Sequence, residues 1–308
     1  MSETLNPRQA YGEELLALGA SNPNVVALEA DLGKSTMSNL FGQKFPDRYF
    51  EMGIAEQNMV STAAGLAASG KIAYCSTFSV FITGRAYDQT RQAIAIGNLN
   101  VKLCGSSAGL SDFGDGSTHQ SVEDLALMTA IPGMTVLAPC DAYETRLAVR
   151  AAAEIEGPVF IRVVRNDLPA LLPRDAVFSN DPRILAEGND ILILTHGAMA
   201  AKSMEAAKLL AAQNISAAVA NVGTIKPFPY EQIAQLASKY KGVVTAEDHS
   251  YIGGLTTHTA FALRKLNIPL EYVAIEDCFG QSAKSLLELM EHYGLTAEHI
   301  ASKARGML

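Results

Sequence analysis

Glu51-Met52-Gly53-Ile54-Ala55-Glu56-Gln57-Asn58-Met59 places two carboxylates around a glycine where a strand gives way to a helix. A glutamate in the first turn of a helix most often serves to stabilise the helix dipole. The helix that follows, expected over 55–68, is too apolar and too rich in small residues to be a solvated face, so Glu56 is expected at a buried helix start. Desolvation there should favour the neutral carboxyl, which is able to donate a proton.

Working outward from this junction, short β-branched runs alternate with Ala- and Leu-rich stretches. Strands are expected over 25–30, 72–76, 101–105, 135–138 and 159–164, and helices over 7–18 and 143–154. This is the rhythm of α/β proteins with mainly parallel sheets covered by helices. At 308 residues the chain exceeds what one core usually supports, so two domains are expected. Between 166 and 190 the text turns Pro- and charge-rich, with Pro169, Pro173 and Pro182, before a strand begins at Ile191. We divide the chain into a first domain over 1–172, a linker over 173–185 and a second domain over 186–308. The second repeats the rhythm, with helices expected over 198–214 and 230–240 and strands in SAAVANV, GVVTAED and EYVAIED.

A composition 48% hydrophobic and 18% charged fits a packed globular protein and excludes a disordered one. The net charge of −8 argues against a nucleic-acid partner, so any phosphate site has to be built from a few arginines. Cys75, Cys104, Cys140 and Cys278 stand far apart without a CxxC pair, which points to buried free thiols rather than zinc or disulfides. The first residues lack a basic stretch followed by a long apolar core, and no uncharged apolar run has the length of a membrane span. A cytoplasmic protein without membrane contact is expected. No GxGxxG follows the first strand and no P-loop occurs, so nucleotide binding has no positive support.

Three further segments carry candidate chemistry. Thr77-Phe78-Ser79-Val80-Phe81 sets two aromatics three apart, followed by Arg85, Tyr87 and Arg91 on a helical stretch; such a pair is ordinarily core packing. The loop 106–120, SSAGLSDFGDGSTHQ, has the polar, Gly-rich character of a binding loop and ends in Thr118-His119-Gln120, although a lone loop histidine is usually just solvated. Arg162 and Arg165 follow a strand, where an arginine is either a phosphate clamp or an ordinary surface residue.

Taken together, EMGIAEQNM, the TFxxF pair, GDGSTHQSVEDLALM, PGMTVLAPCDAYE and the RNDLP run resemble, in order and spacing, the pyrimidine-binding domain of transketolases. The resemblance covers roughly residues 8–169. TIKPF and TAEDHSYIGGL resemble the C-terminal domain that transketolases share with deoxyxylulose-phosphate synthases and the β subunits of 2-oxoacid dehydrogenases. The resemblance implies that Glu56 hydrogen-bonds N1′ of the aminopyrimidine of thiamine diphosphate and promotes its imino tautomer. It also implies that Phe81 stacks on the pyrimidine, with Phe78 lining the same pocket, and that Asp31 belongs to the cofactor site. The family tyrosine that follows is Gly84 here.

For a sugar phosphate, the resemblance implies Arg8, Ser35 and Arg165 at the phosphate, Asp115 at a substrate hydroxyl, and His119 at the reacting ketose oxygen. The family histidine twelve residues before His119 is Ser107, a substitution that bears on acceptor or phosphate recognition. Gly114-Asp115-Gly116 looks like the start of a Mg²⁺–diphosphate motif, but the first asparagine after it is Asn166, too distant to complete the ligand set. No metal ligands are therefore expected on this chain. The resemblance implies that the diphosphate and Mg²⁺ fall to a separate N-terminal subunit, with a heterotetramer of two copies of each chain as the expected assembly.

The implied activity is transfer of a two-carbon ketol unit from a ketose phosphate to an aldose or aldose phosphate. A 2-oxoacid dehydrogenase β subunit, a deoxyxylulose-phosphate synthase-like enzyme and a non-catalytic assembly subunit remain as alternatives. His249 and Gly253-Gly254 read as turn-shaping residues.

Overall fold

A computed structural model describes residues 3–308. The chain begins with a short strand β1 (Thr4–Leu5) and helix α1 (Pro7–Ser21), whose start is set by Pro7 and by Asn6. The Asn6 side chain accepts the amides of Arg8 and Gln9, a cap worth about 1 kcal/mol. There follow β2 (Val25–Glu29), the short helices α2 (Gly33–Thr36) and α3 (Asn39–Lys44), β3 (Tyr49–Glu51), α4 (Glu56–Ala68) and β4 (Ile72–Phe78). Residues 81–95 wind as two π-helical stretches, Phe81–Arg85 and Thr90–Ala95, around the single turn α5 (Tyr87–Gln89). Then come β5 (Val101–Ser106), α6 (Asp124–Ala130), β6 (Thr135–Leu137), α7 (Ala142–Glu154), β7 (Val159–Arg162) and β8 (Leu168–Pro169).

The second half runs β9 (Arg183–Ala186), β10 (Ile191–Thr195), α8 (Met199–Ala211), β11 (Ala217–Asn221), β12 (Thr224–Lys226), α9 (Tyr230–Ala237), β13 (Gly242–Ser250), α10 (Leu255–Leu263), β14 (Leu270–Ile275), α11 (Leu286–His292) and α12 (Ala297–Arg305). Among the described residues no helix is long and apolar enough to cross a membrane.

Two sheets result. The first has the order β12-β6-β7-β5-β4-β2-β3 and is parallel except where β12 meets β6; the second, β14-β13-β10-β11-β9, is parallel except for β9. β2, β5, β7, β10 and β11 are buried along their whole length, so apolar residues follow one another instead of alternating, as in Ile191–Leu194 of β10, while β5 carries the buried Lys102. The mainly parallel α/β architecture is as expected.

Three details differ from the sequence reading. β9 begins inside the expected linker, and as an edge strand with Ile184 in contact with solvent it lacks the apolar run that marks the central strands. β12, from TIKPF, pairs with β6 in the first sheet, so the second half of the chain supplies a strand to the first. Cys278 is exposed, whereas Cys75, Cys104 and Cys140 are buried free thiols. One apolar cluster continues from Met59 and Leu103 to Leu194, Val222 and Leu255, joining the two halves through a common core.

Candidate active site

The C-terminal ends of the parallel strands in the first sheet, where α/β folds gather ligands, carry most of the expected site residues. Glu56 opens α4 and is 1% exposed. Its carboxyl is not left to burial alone. Arg85 Nη1 donates to both oxygens at 3.0 Å. The same guanidinium lies 4.6 Å from the centre of the Phe81 ring, a cation–π geometry. Phe81 stacks against Phe78, with centroids 6.0 Å apart and planes 15° off parallel. His119 stands edge-on to both rings, at 5.2 Å from Phe81 and 6.2 Å from Phe78. Glu56, Phe78, Phe81 and His119 therefore form one cluster.

Arg85, which the sequence places four residues after Phe81 without assigning it a role, is the residue that joins the carboxyl to the aromatic pair. π-turns are enriched at functional sites, and this one brings Phe81 and Arg85 to the same rim. At Gly84 an added Cβ would meet nothing within 4 Å, so the side of the pocket that carries a tyrosine in the resembled family is open.

A second group lies beside α1. Glu51 Oε1 accepts the amide of Asp31 at 2.8 Å and that of Gly53 at 3.1 Å, so one carboxyl ties the loop after β2 to the turn leading into Glu56. Asp31 and Gly53 both hold positive φ, 60° and 68°. A cavity of about 370 Å³ opens here, lined in part by Asp31, Lys34, Ser35, Tyr49 and Glu51. Beneath it, Glu29 accepts hydrogen bonds from Thr36, Ser38 and the Ala30 amide; burial pushes its carboxyl up to about 7 against the pull of these donors.

Arg8 donates to the Ser35 carbonyl at 2.8 Å and keeps Nε buried without a partner among the described residues. Burial, and secondarily the nearby Arg165, hold its proton less tightly than usual. Arg165 donates to Asp112 at 2.7 Å. Burial pushes the Asp112 carboxyl up, the Arg165 charge opposes this and Asp115 adds to it. Asn6, the cap of α1, also donates to the Arg165 carbonyl at 3.3 Å, fixing the two arginine-bearing segments together. Asp112 is another residue that was not singled out by its sequence context.

The remaining expectations divide. Asp115 is exposed at the start of the 3₁₀ turn Gly116–Thr118, and His119 Nδ1 pairs with Thr118 Oγ1 at 2.8 Å. Ser107 is buried with φ of 54°, and its hydroxyl has no partner among the described residues. Arg162 is neither a phosphate clamp nor a surface residue. It is 1% exposed and holds Asp124 with Nε at 3.0 Å and Asp248 with Nη1 at 2.7 Å. Burial works against its charge, but the two carboxylates outweigh it and raise its proton affinity.

His249 lies buried in β13 instead of shaping a turn. Its Nε2 accepts the amides of Leu125 and Ala126, which leaves the proton on Nδ1 for the Ser250 carbonyl. Gly253, with φ of 76°, does sit in the bend before α10.

With this geometry in view, comparison with known proteins is specific. The family described as "Transketolase, pyrimidine binding domain" matches residues 3–170, and "Transketolase, C-terminal domain" matches residues 181–300. A Methanocaldococcus jannaschii protein provisionally named a transketolase C-terminal section is 42% identical over 301 residues, covering 96% of this chain and 94% of that protein. The 6-deoxy-6-sulfo-D-fructose transketolase subunit of Clostridium sp. (strain MSTE9) is 40% identical over 299 residues, covering 96% and 92%. A solved split-gene transketolase, described as an inactive β4 tetramer, superposes with a TM-score of 0.89 at 42% identity and covers 99% of both chains.

Proposed function

The chain belongs to the transketolase family, and from that premise we propose that it is the C-terminal subunit of a thiamine diphosphate-dependent enzyme that moves a two-carbon ketol unit from a ketose phosphate to an aldose or aldose phosphate. The observation that carries this reading is the cluster of Glu56, Phe81, Phe78 and His119 at the C-terminal ends of the first sheet's strands.

The residues fit the aminopyrimidine end of the cofactor. A buried carboxyl lies beside an aromatic face, and Gly84 leaves open space on one side. When bound, thiamine diphosphate supplies the carbanion chemistry that breaks and remakes a carbon–carbon bond next to a carbonyl. In this reading Glu56 holds a proton at N1′, Phe81 offers its ring to the pyrimidine, and Arg85 yields one carboxyl oxygen of Glu56 to the ring nitrogen. His119 reaches the ketose oxygen, and Asp115 reads a hydroxyl. Arg8 and Arg165 meet the anionic end of the sugar, a role supported by the unpartnered Nε of Arg8. Asp31 and Ser35 line the adjoining cavity.

The diphosphate and Mg²⁺ belong, in this reading, to an N-terminal partner subunit, with two copies of each chain in the assembly. The split-gene relative supports it, since its tetramer of one chain type is described as inactive. The test is reconstitution of the chain with a diphosphate-binding N-terminal subunit, Mg²⁺ and thiamine diphosphate, assayed with 6-phospho- and 6-sulfo-ketose donors and aldose acceptors. The sulfo-sugar arm follows from the Clostridium relative's name. Ketol transfer that needs both chains supports the proposal; absence of transfer with every donor, or oxidative decarboxylation of a 2-oxoacid in its place, rejects it.

A further inference from the structure

The loop that carries Asp115 and His119 is held from the second half of the chain at three points. Gln120 is 3% exposed, and its Nε2 donates at 3.0 Å both to the Asp112 carbonyl within the loop and to the Gln281 carbonyl across the interface. Gly280 packs so closely on this side chain that a Cβ there would overlap Gln120 Oε1. Three residues on, the Ala283 amide donates to the Phe113 carbonyl at 2.8 Å, and a Cβ on Gly116 would overlap Ser282 Oγ. At the start of the loop, Gly109, with φ of 62°, lies against the Asp248 carboxylate, where a Cβ would again overlap. Asp248 is the partner of the buried Arg162, which also holds Asp124.

The first part of the loop is tied by the backbone pair Gly109–Ser121, by the Ser111 hydroxyl donating to the Ala108 carbonyl and by Arg165 at Asp112, whereas the part over 113–119 that bears Asp115 and His119 has of its own only local turn hydrogen bonds. Residues 107–120 contain no strand and only the 3₁₀ turn Gly116–Thr118, and Asp115, Thr118 and the glycine Gly114 are exposed. A segment of this kind lies at the low-stability end of a fold unless outside contacts order it. The contacts above are glycine-permitted close approaches, two hydrogen bonds from the Gln120 side chain to main-chain carbonyls and one between main-chain groups, so they constrain position and direction instead of merely adding apolar area.

We propose that the segment 280–283, acting through Gln120, is a positioning clamp that fixes the loop bearing Asp115 and His119 against Phe78 and Phe81, and that sugar-phosphate recognition depends on this clamp while cofactor binding does not. Gln120 and Gly280 are positioning residues. They act through the loop and touch no reacting atom. The kinetic part of the proposal rests on the transketolase reading; the structural part does not.

The test uses the full chain in two stages. Amide hydrogen exchange of residues 106–121 is compared in wild type, Gly280→Ala and Gln120→Leu, with the strands β2, β4 and β10 as internal controls. The added methyl in G280A displaces Gln120, and Q120L removes both donated hydrogen bonds at nearly constant volume. Exchange in 106–121 is expected to rise by about fivefold or more in each variant while the control strands stay unchanged. In Gly280→Ala combined with Gln120→Ala the collision with Gln120 is gone, only a 3.1 Å approach to the movable end of Leu110 remains, and exchange is expected to match that of Gln120→Ala alone.

In the reconstituted enzyme, the KM for the ketose donor is expected to rise about tenfold in G280A, with the affinity for thiamine diphosphate within about twofold of wild type. Unchanged exchange in 106–121, a uniform rise across the control strands, or an unchanged donor KM in an active enzyme would overturn the clamp. If the wild-type pair transfers no ketol unit at all, the functional reading falls while the exchange experiment still decides the clamp.

Discussion

One guanidinium nitrogen of Arg85 stands 3.0 Å from each carboxyl oxygen of Glu56, and the same group lies over the ring of Phe81. The acid is buried while the Arg85 side chain remains 48% exposed, so the pair joins the interior of the cleft to its rim. Arg85 thus orients both the carboxyl and the aromatic face that the proposed function assigns to the pyrimidine.

Replacement of Arg85 tests this arrangement. Arg85→Ala removes the hydrogen bonds to Glu56 and the cation over Phe81 together, effects of about 1–2 kcal/mol in sum. The concentration of thiamine diphosphate needed for half-maximal activity is expected to rise about five- to thirtyfold. Arg85→Lys keeps the charge without the planar fork and should fall between Ala and wild type. Cofactor titration of the reconstituted enzyme checks the order.

The arginine pair gives a second expectation. Arg8 and Arg165 are proposed to bind the anionic end of the sugar. Arg165→Ala should then raise the KM for a phosphorylated donor by about tenfold to a hundredfold, leaving an uncharged hydroxyketone donor nearly unaffected. Equal losses for both donors would place Arg165 elsewhere, for instance in holding Asp112 alone.

Glu29 makes stability depend on pH. Its folded-state carboxyl is raised to about 7 from 4.5, chiefly by burial, so the native chain binds more protons than the unfolded chain between those values. Stability from this group is fully present below the unfolded value and is lost as pH rises through about 7. Lys102, lowered to about 7 by burial, is protonated in both states over most of that window and does not mask the effect. Urea unfolding from pH 5 to pH 7.5 should show a decline on the order of 1–3 kcal/mol that Glu29→Gln removes.

Arg162 gives the largest expected effect on stability. Arg162→Ala leaves Asp124 and Asp248 buried without their cation, a loss of about 3–5 kcal/mol in denaturant unfolding. A change below about 1 kcal/mol would mean that the two carboxylates find other compensation.

What the sequence made legible, and what it hid, follows from the range of the interactions. A strand such as β10 declares itself because burial on both faces makes it a nearly continuous apolar run, and α1 declares its start through Asn6 and Pro7. β9 was hidden by its exposure at a sheet edge, and the pairing of β12 with β6 joins residues far apart in the chain. Glu56, taken alone, reads as a dipole-stabilising residue; only resemblance connected it to Phe81 and His119. The setting of Arg162 depends on Asp124 and Asp248, and that of His249 on the amides of Leu125 and Ala126, all brought together by tertiary packing. A local pattern around either residue carries no trace of these partners.

The central claim is that Glu56 activates a cofactor held between this chain and a partner. The most direct measurement compares wild type and Glu56→Ala in the reconstituted pair at saturating thiamine diphosphate, Mg²⁺ and ketose donor, with matched subunit assembly confirmed by sedimentation. Ketol transfer is expected to fall by about a hundredfold to ten-thousandfold in Glu56→Ala, the range lost with a proton-transferring group. Transfer at the wild-type rate in the assembled Glu56→Ala enzyme would contradict the account.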